Sequence, residues 1–296
     1  MIEILRAIVA PGLFHSGSVL SALWIGTVVA ALSGMVGVFV VIRGQSFIGH
    51  ALTDIGTVGA SGAILAGINL WYGFVAMGLL AGGAVETMGA RARDRDIETG
   101  LVLAFAMGLG ALLLYFDTLY TSNANVTMQV LFGSIFVIAP AIARILIFSS
   151  MAALILLMIL YRPLLLSTLS PDLAQTRGVS VRLVGLVFVV VMGIAVENGA
   201  LVVGALLSTA LLIGPASTAI QLVSKPITAM AVAAAVGVAA TWIGIILAYD
   251  SFNWPPAGHG WPVSFFIPAL ITAFYLLARL MQRRPRPALA AESRVR

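Results

Sequence analysis

Residues 18–42 read SVLSALWIGTVVAALSGMVGVFVVI, 25 positions without one charged side chain. As a helix rising 1.5 Å per residue, such a run crosses the roughly 30 Å hydrocarbon layer of a bilayer. Further predominantly apolar runs, some with a charged residue or two, lie near 47–67, 70–86, 97–116, 144–161, 181–197, 199–223, 227–249 and 262–281. Composition points the same way. The chain has 296 residues, 61% hydrophobic and 9% charged, with mean hydropathy +1.10. A soluble domain cannot bury so much apolar surface, whereas a lipid-embedded one need not. The fold expected is all-α, a polytopic membrane helix bundle of eight or nine spans. Its thirty glycines suit close helix–helix approach in lipid. There is no cysteine, which excludes disulfides and thiolate metal ligands.

The weakest of these runs is 199–223, because Gly214-Pro215 should break or kink it where proline removes an amide donor. Run 70–86 is short and Gly-rich. Residues 117–143 start too polar to span, and 131–136 suggest a short surface or half-inserted helix. Basic residues set the orientation. With nine spans and the C-terminus cytoplasmic, only Arg6 and Arg144 of the 16 basic residues fall outside. Three regions result. Residues 1–17 form an outer-surface segment with no basic n-region or cleavage site of a signal peptide, 18–281 the transmembrane domain, and 282–296 a flexible basic cytoplasmic tail. The net charge of +5 is distributed as a topology signal and not as a nucleic-acid face.

Within run 47–67, His50 and Asp54 interrupt the apolar pattern. An ionisable side chain at membrane depth costs roughly 2.5–3.5 kcal/mol on insertion scales, so it marks a pathway site by default. Residues i and i+4 share one helical face with Cβ atoms about 6 Å apart, so both heads can reach one cation. Imidazole with carboxylate suits Zn, Mn, Fe or Co without selecting among them. Three roles stay open for the pair: a translocation site, a gate without coordination, or a structural hydrogen bond.

The loop 162–181 carries the second pattern, Ser170-Pro171-Asp172-Leu173-Ala174-Gln175-Thr176-Arg177-Gly178-Val179. Serine as N-cap, proline at the first helical position, an acid in the first turn and glycine as stop predict a two-turn cytoplasmic helix over 170–179. It is either an ordinary connector or a docking helix for a cytoplasmic partner.

Three segments together resemble the permease subunits of ATP-binding-cassette importers for zinc, manganese or iron, the ABC-3 family. Arg43 through Gly59 is similar to the family's Arg-x-x-Ser-(Leu)-x-Gly-Asp-Ala-Leu-Ser-His-Ala pattern. Pro171 through Val179 resembles its coupling helix, which implies ATPase contact for Pro171, Asp172, Ala174, Arg177 and Gly178. Glu197 through Ala219 is similar to its Val-Gly-x-Leu-Leu and Pro-Ala-Ala-Thr-Ala elements. Tyr249-Asp250 with Pro256-Ala257-Gly258 is a weaker fourth match. The family places Asp first and His four residues later; here the order is reversed, which moves each donor by one turn, about 5.4 Å.

The resemblance implies a multi-pass permease in the bacterial cytoplasmic (inner) membrane, N-terminus outside, moving a divalent transition metal by alternating access. It implies no cofactor bound by this chain, ATP used by separate ATPase subunits, an extracytoplasmic metal-binding protein, and a second permease chain, identical or not. The chain is not expected to be an enzyme and contains no Walker motif. Gly214 and Pro215 are the expected helix break or gate. Glu197, Asp250 and His259 are outer-loop candidates, Asp117 is also placed on an outer loop, and the tryptophans read as interface anchors. Alternatives are an ion-coupled secondary transporter, which should show an inverted repeat, a cobalamin- or siderophore-type importer permease, and a membrane-embedded enzyme.

Overall fold

The computed structural model describes residues 16–88, 96–121, 124–133, 135–254 and 260–282. Among them the chain forms eleven α-helices and no strand. In order these are α1 (Gly17–Ile42), α2 (Ser46–Leu65), α3 (Leu70–Met88), α4 (Asp96–Thr121), α5 (Ala124–Phe132), α6 (Pro140–Leu169), α7 (Pro171–Thr176), α8 (Val181–Val203), α9 (Ser208–Leu222), α10 (Pro226–Asp250) and α11 (Val263–Gln282). Local chemistry sets several starts. Ser16 accepts the Val19 amide at 3.2 Å and Ser180 that of Leu183 at 3.4 Å, while Pro140, Pro171 and Pro226 open their helices.

Six helices (α1, α4, α6, α8, α10 and α11) are long and apolar enough to cross a membrane. The other three expected spans are present as helices with weaker signals. In α2 the His, Asp, Ser and Thr side chains dilute the apolar run; the apolar part of α3 is Leu70–Gly83; and α9 has 15 residues, a length of about 22 Å. The expected break at Gly214-Pro215 is not where the helix is interrupted. Helix α9 continues through Pro215, and the interruption lies at residues 204–207, where Gly204 adopts φ 102°. Proline costs a helix one amide donor, and here tight packing on both sides holds the helix together: Pro215 is buried, with Gly237 of α10 beside its ring.

A second boundary also moves. Helix α8 runs unbroken through Glu197-Asn198 to Val203, so the end expected at 197 is the interior of a span. Asp117, expected on an outer loop, belongs to α4 and is buried. Residues 131–136 do not form one short helix: they hold the end of α5, which begins at Ala124, and the start of a 3-10 turn at Ile135–Val137. The helix expected over 170–179 is shorter than its pattern, six residues instead of two full turns.

Small residues bring the helices together. Helices α1 and α10 pack antiparallel, with Gly26 against Thr241, Gly34 against the Ala233 carbonyl and Gly237 against the Ala30 carbonyl. In α2 and α3, Gly59 and Gly73 touch backbone to backbone. No Cβ fits at such contacts, the usual way for membrane helices to gain dispersion energy.

The core has two apolar layers stacked along the bundle. One collects Val19–Ala30 of α1, Leu146 of α6, Ala200–Val203 of α8 and the α10–α11 contacts; the other collects Leu32–Val40 of α1, Ala153–Leu164 of α6 and Val184–Val196 of α8. Between them lies a belt of polar side chains: Ser33, Thr53, Ser150, Glu197, Asn198 and Ser208, all buried.

Candidate functional site

Helix α2 begins after a tight turn at Gly44, whose φ of 65° lets the Gly44 and Gln45 amides close back on the Val41 and Val40 carbonyls at 3.1 and 2.8 Å. Arg43 reaches from this turn to Ser167 and Thr168 in the last turn of α6, at 3.5 and 3.3 Å, with its guanidinium 5.6 Å from the Phe188 ring centroid of α8. The start of α2 is thus tied to the chain that leads into α7.

One and two turns into α2 stand His50 and Asp54. The His50 Nε2 lies 3.7 Å from the Asp54 Oδ2, too long for a hydrogen bond and suited to two donors approaching one cation. Their side chains are 47% and 11% exposed. Asp54 also borders a cavity of about 430 Å³ between α2, α4, α5 and the 204–207 interruption, with Thr57, Tyr115, Thr118, Leu131 and Leu206 on its wall. A carboxylate and an imidazole on the outer face of a single bundle at membrane depth would be costly against lipid. That face therefore belongs against protein or water.

The belt holds a feature that spacing alone missed. Glu197 is fully buried, both of its carboxyl oxygens lack a hydrogen-bond partner among the described residues, and they press against Gly56 of α2 and Gly78 of α3. Its neighbour Asn198 is fully engaged: Nδ2 donates to Ser149 and Ser150 Oγ, each at 2.9 Å, and Oδ1 accepts Trp71 Nε1 at 3.0 Å. Neither residue is on an outer loop, and Trp71 bonds inward instead of anchoring at an interface. The signal in the sequence was the Ser149-Ser150 pair in α6, which gives a buried asparagine its partners.

The remaining expected residues are dispersed. Helix α7 buries Ala174 and exposes Leu173, with Asp172 in its first turn. Gly178, at φ 76°, closes it: the Val179 amide bonds to the Ala174 carbonyl and that of Gly178 to Gln175, both at 2.9 Å. Arg177 is the C-cap. Asp250 ends α10 and its Oδ2 accepts Trp254 Nε1 at 3.1 Å. Gly214 and Pro215 lie in the middle of α9, away from any interruption. His259 and the Pro256-Ala257-Gly258 element lie outside the described residues, as do 1–15 and 283–296. No cluster of three or more His, Cys, Asp or Glu occurs among the described residues, so any cation bound at His50 and Asp54 needs further ligands.

The described residues thus form a multi-pass helical bundle, six of whose helices are long and apolar enough to cross a membrane, with an imidazole and a carboxylate side by side on one helix. The chain belongs to the ABC 3 transport family, whose model matches residues 16–277. It is a transport subunit and not an enzyme; ATP hydrolysis belongs to a separate subunit. It is 29% identical over 245 residues to the manganese import system permease protein ScaB of Streptococcus pneumoniae, covering 81% of this chain and 83% of that one. It is 25% identical over 239 residues to the manganese transport system membrane protein MntC of Listeria innocua, covering 80% and 84%. The fold resembles PsaBC from Streptococcus pneumoniae in complex with Fab, with TM-score 0.77 at 24% identity over 93% of this chain and 95% of that one. Membership of this family disfavours the secondary-transporter alternative.

Proposed function

We propose that this chain is the permease of an ATP-driven importer for a divalent transition metal, and that His50 and Asp54 lie on the translocation path. One observation carries the reading: an imidazole and a carboxylate 3.7 Å apart on an exposed intramembrane face of α2. The relatives named for manganese put that ion first among zinc, manganese and iron. Two ligands per chain make a weak site, as a path requires, since a bound ion must also leave. A second permease chain, identical or not, facing the first across the His50/Asp54 face would double the donors and keep them from lipid.

Helix α7 docks the ATPase, with exposed Leu173, Asp172 and Arg177 offering an apolar and charged contact and Gly178 fixing its end. An extracytoplasmic binding protein delivers the ion, and ATP-driven alternating access moves it inward. The distribution of basic residues supports an orientation with the C-terminus in the cytoplasm and the N-terminus outside, in a bacterial cytoplasmic membrane. The test is manganese uptake by cells making His50→Ala or Asp54→Ala at normal membrane abundance. Loss of accumulation is expected, and uptake at the unsubstituted rate in both would sink the proposal.

A further inference from the structure

One side chain joins the two parts of the transport reading, α7 and the His50/Asp54 face. Arg43 sits between α1 and α2, and its Nη1 donates to Thr168 Oγ1 at 3.3 Å and to Ser167 Oγ at 3.5 Å. Both hydroxyls already give their protons to the Leu164 carbonyl, at 2.6 and 2.9 Å, so both meet Arg43 as acceptors. The guanidinium also lies 5.6 Å from the Phe188 ring centroid, and Phe188 packs edge-on against Phe39 of α1 with centroids 6.2 Å apart. Both rings are fully buried, so α1 and α8 give Arg43 a firm base.

The other side of this contact has a weak point behind it. Pro163 stands inside α6 one turn before Ser167 and supplies no amide, so one hydrogen bond that would tie the last turn to the rest of the helix is missing. That last turn ends at Leu169, and α7 starts at Pro171 with Ser170 alone between them. The Ala174 amide bonds back to the Ser170 carbonyl at 3.0 Å. The last turn of α6 and α7 are thus placed to shift together. Resting on the reading of α7 as the ATPase dock and of His50 and Asp54 as path residues, we propose that Arg43 is a positioning residue that passes displacement of α7 to the start of α2. Movement of the ATPase then reorients the His50/Asp54 face. The planar guanidinium suits this role, since one group reaches two adjacent hydroxyls while lying over the Phe188 ring, which the point charge of a lysine does not reproduce. Arg43→Lys therefore keeps the charge that orients the chain and loses the clasp.

The test measures Mn²⁺ uptake and ATP hydrolysis together, in proteoliposomes holding the permease with its ATPase and given the binding protein outside. Arg43→Lys should retain the ATPase and its hydrolysis while moving about tenfold fewer ions per ATP, the scale of one hydrogen bond to a charged group. Thr168→Val, which keeps the β-branched shape and removes the acceptor, should lower the same ratio. Adding it to Arg43→Lys should change little further, as two ends of one contact require. A purely structural role would reduce the amount of complex and leave ions per ATP unchanged; that result in both variants, or additive losses in the pair, would overturn the proposal. His50→Ala run in parallel separates the claims. Normal uptake there sinks the path reading, whereas lost uptake there beside an unsubstituted ratio in Arg43→Lys sinks only the role of Arg43.

Discussion

At Glu197 a full carboxyl occupies a notch that exists because Gly56 and Gly78 have no side chains. A Cβ on Gly78 would stand 2.5 Å from Glu197 Oε1 and 3.3 Å from its Cδ, closer than atoms settle. Gly78→Ala should therefore lower the unfolding temperature of the purified chain, by a penalty of about 1–3 kcal/mol typical of overpacking. The Gly78→Ala/Glu197→Ala pair should lose less than the sum of its single changes, since the clash disappears with the carboxyl. Additive losses would show that the notch is not shaped by Glu197. Asn198→Leu strands the Trp71, Ser149 and Ser150 partners in the interior and should cost about 2–4 kcal/mol, read by the same melt. His50 and Asp54 were legible from sequence because two ionisable groups in an apolar run contradict their surroundings. Glu197 and Asn198 contradict theirs as strongly, but near the end of a run such a contradiction is indistinguishable from the membrane boundary. Only the contacts from α2, α3 and α6 show that the run continues.

Glycine stops set two elements whose lengths matter to the transport reading. Gly178 holds φ 76° and closes α7 on itself, and Gly204 holds φ 102° where α8 turns toward α9. A left-handed backbone costs a residue with a Cβ roughly 1–2 kcal/mol. Gly178→Ala has open space around it, so its effect should be confined to the end of α7: the chain inserts normally and copurifies with less ATPase. Full recovery of the ATPase would remove α7 as the dock. Gly204→Ala meets the Phe132 backbone as well as the conformational cost, at a joint where the Ala205 amide bonds to the Val130 carbonyl at 3.0 Å and the Ser264 hydroxyl to that of Phe132. It should abolish metal uptake, whereas Pro215→Ala, inside a continuous helix, should retain it; the opposite ranking would return the interruption to Gly214-Pro215. The sequence marked both places, one by Val-Gly and the other by Gly-Pro. Proline drew the stronger reading because its effect on a lone helix is fixed by covalent structure, while the neighbours that accommodate it in α9 come from α1, α10 and α11, far along the chain.

Across the whole molecule, two apolar layers enclose a polar belt, and the belt meets the surface at Asp54. Composition and run length were enough to place the chain in a bilayer, yet they do not say which exposed residues face lipid. Phe148 of α6 is 73% exposed and His50 of α2 is 47% exposed. Area alone would call Phe148 the more accessible to water. Transfer energetics reverse that order, since an aromatic side chain is favourable in hydrocarbon and an imidazole beside a carboxylate is not. The chain has no cysteine, so each site can be probed by a single new thiol without a background signal. In membranes during ATP turnover, His50→Cys should react with a charged, membrane-impermeant maleimide, and Phe148→Cys should react only after the bilayer is dissolved. Thiolates form in water and not in hydrocarbon, so the contrast reads solvent directly, whether or not the variant still transports. Rapid labelling of Phe148→Cys with none at His50→Cys would place lipid on the α2 face and the aqueous path on α6, and the metal route would have to be sought there.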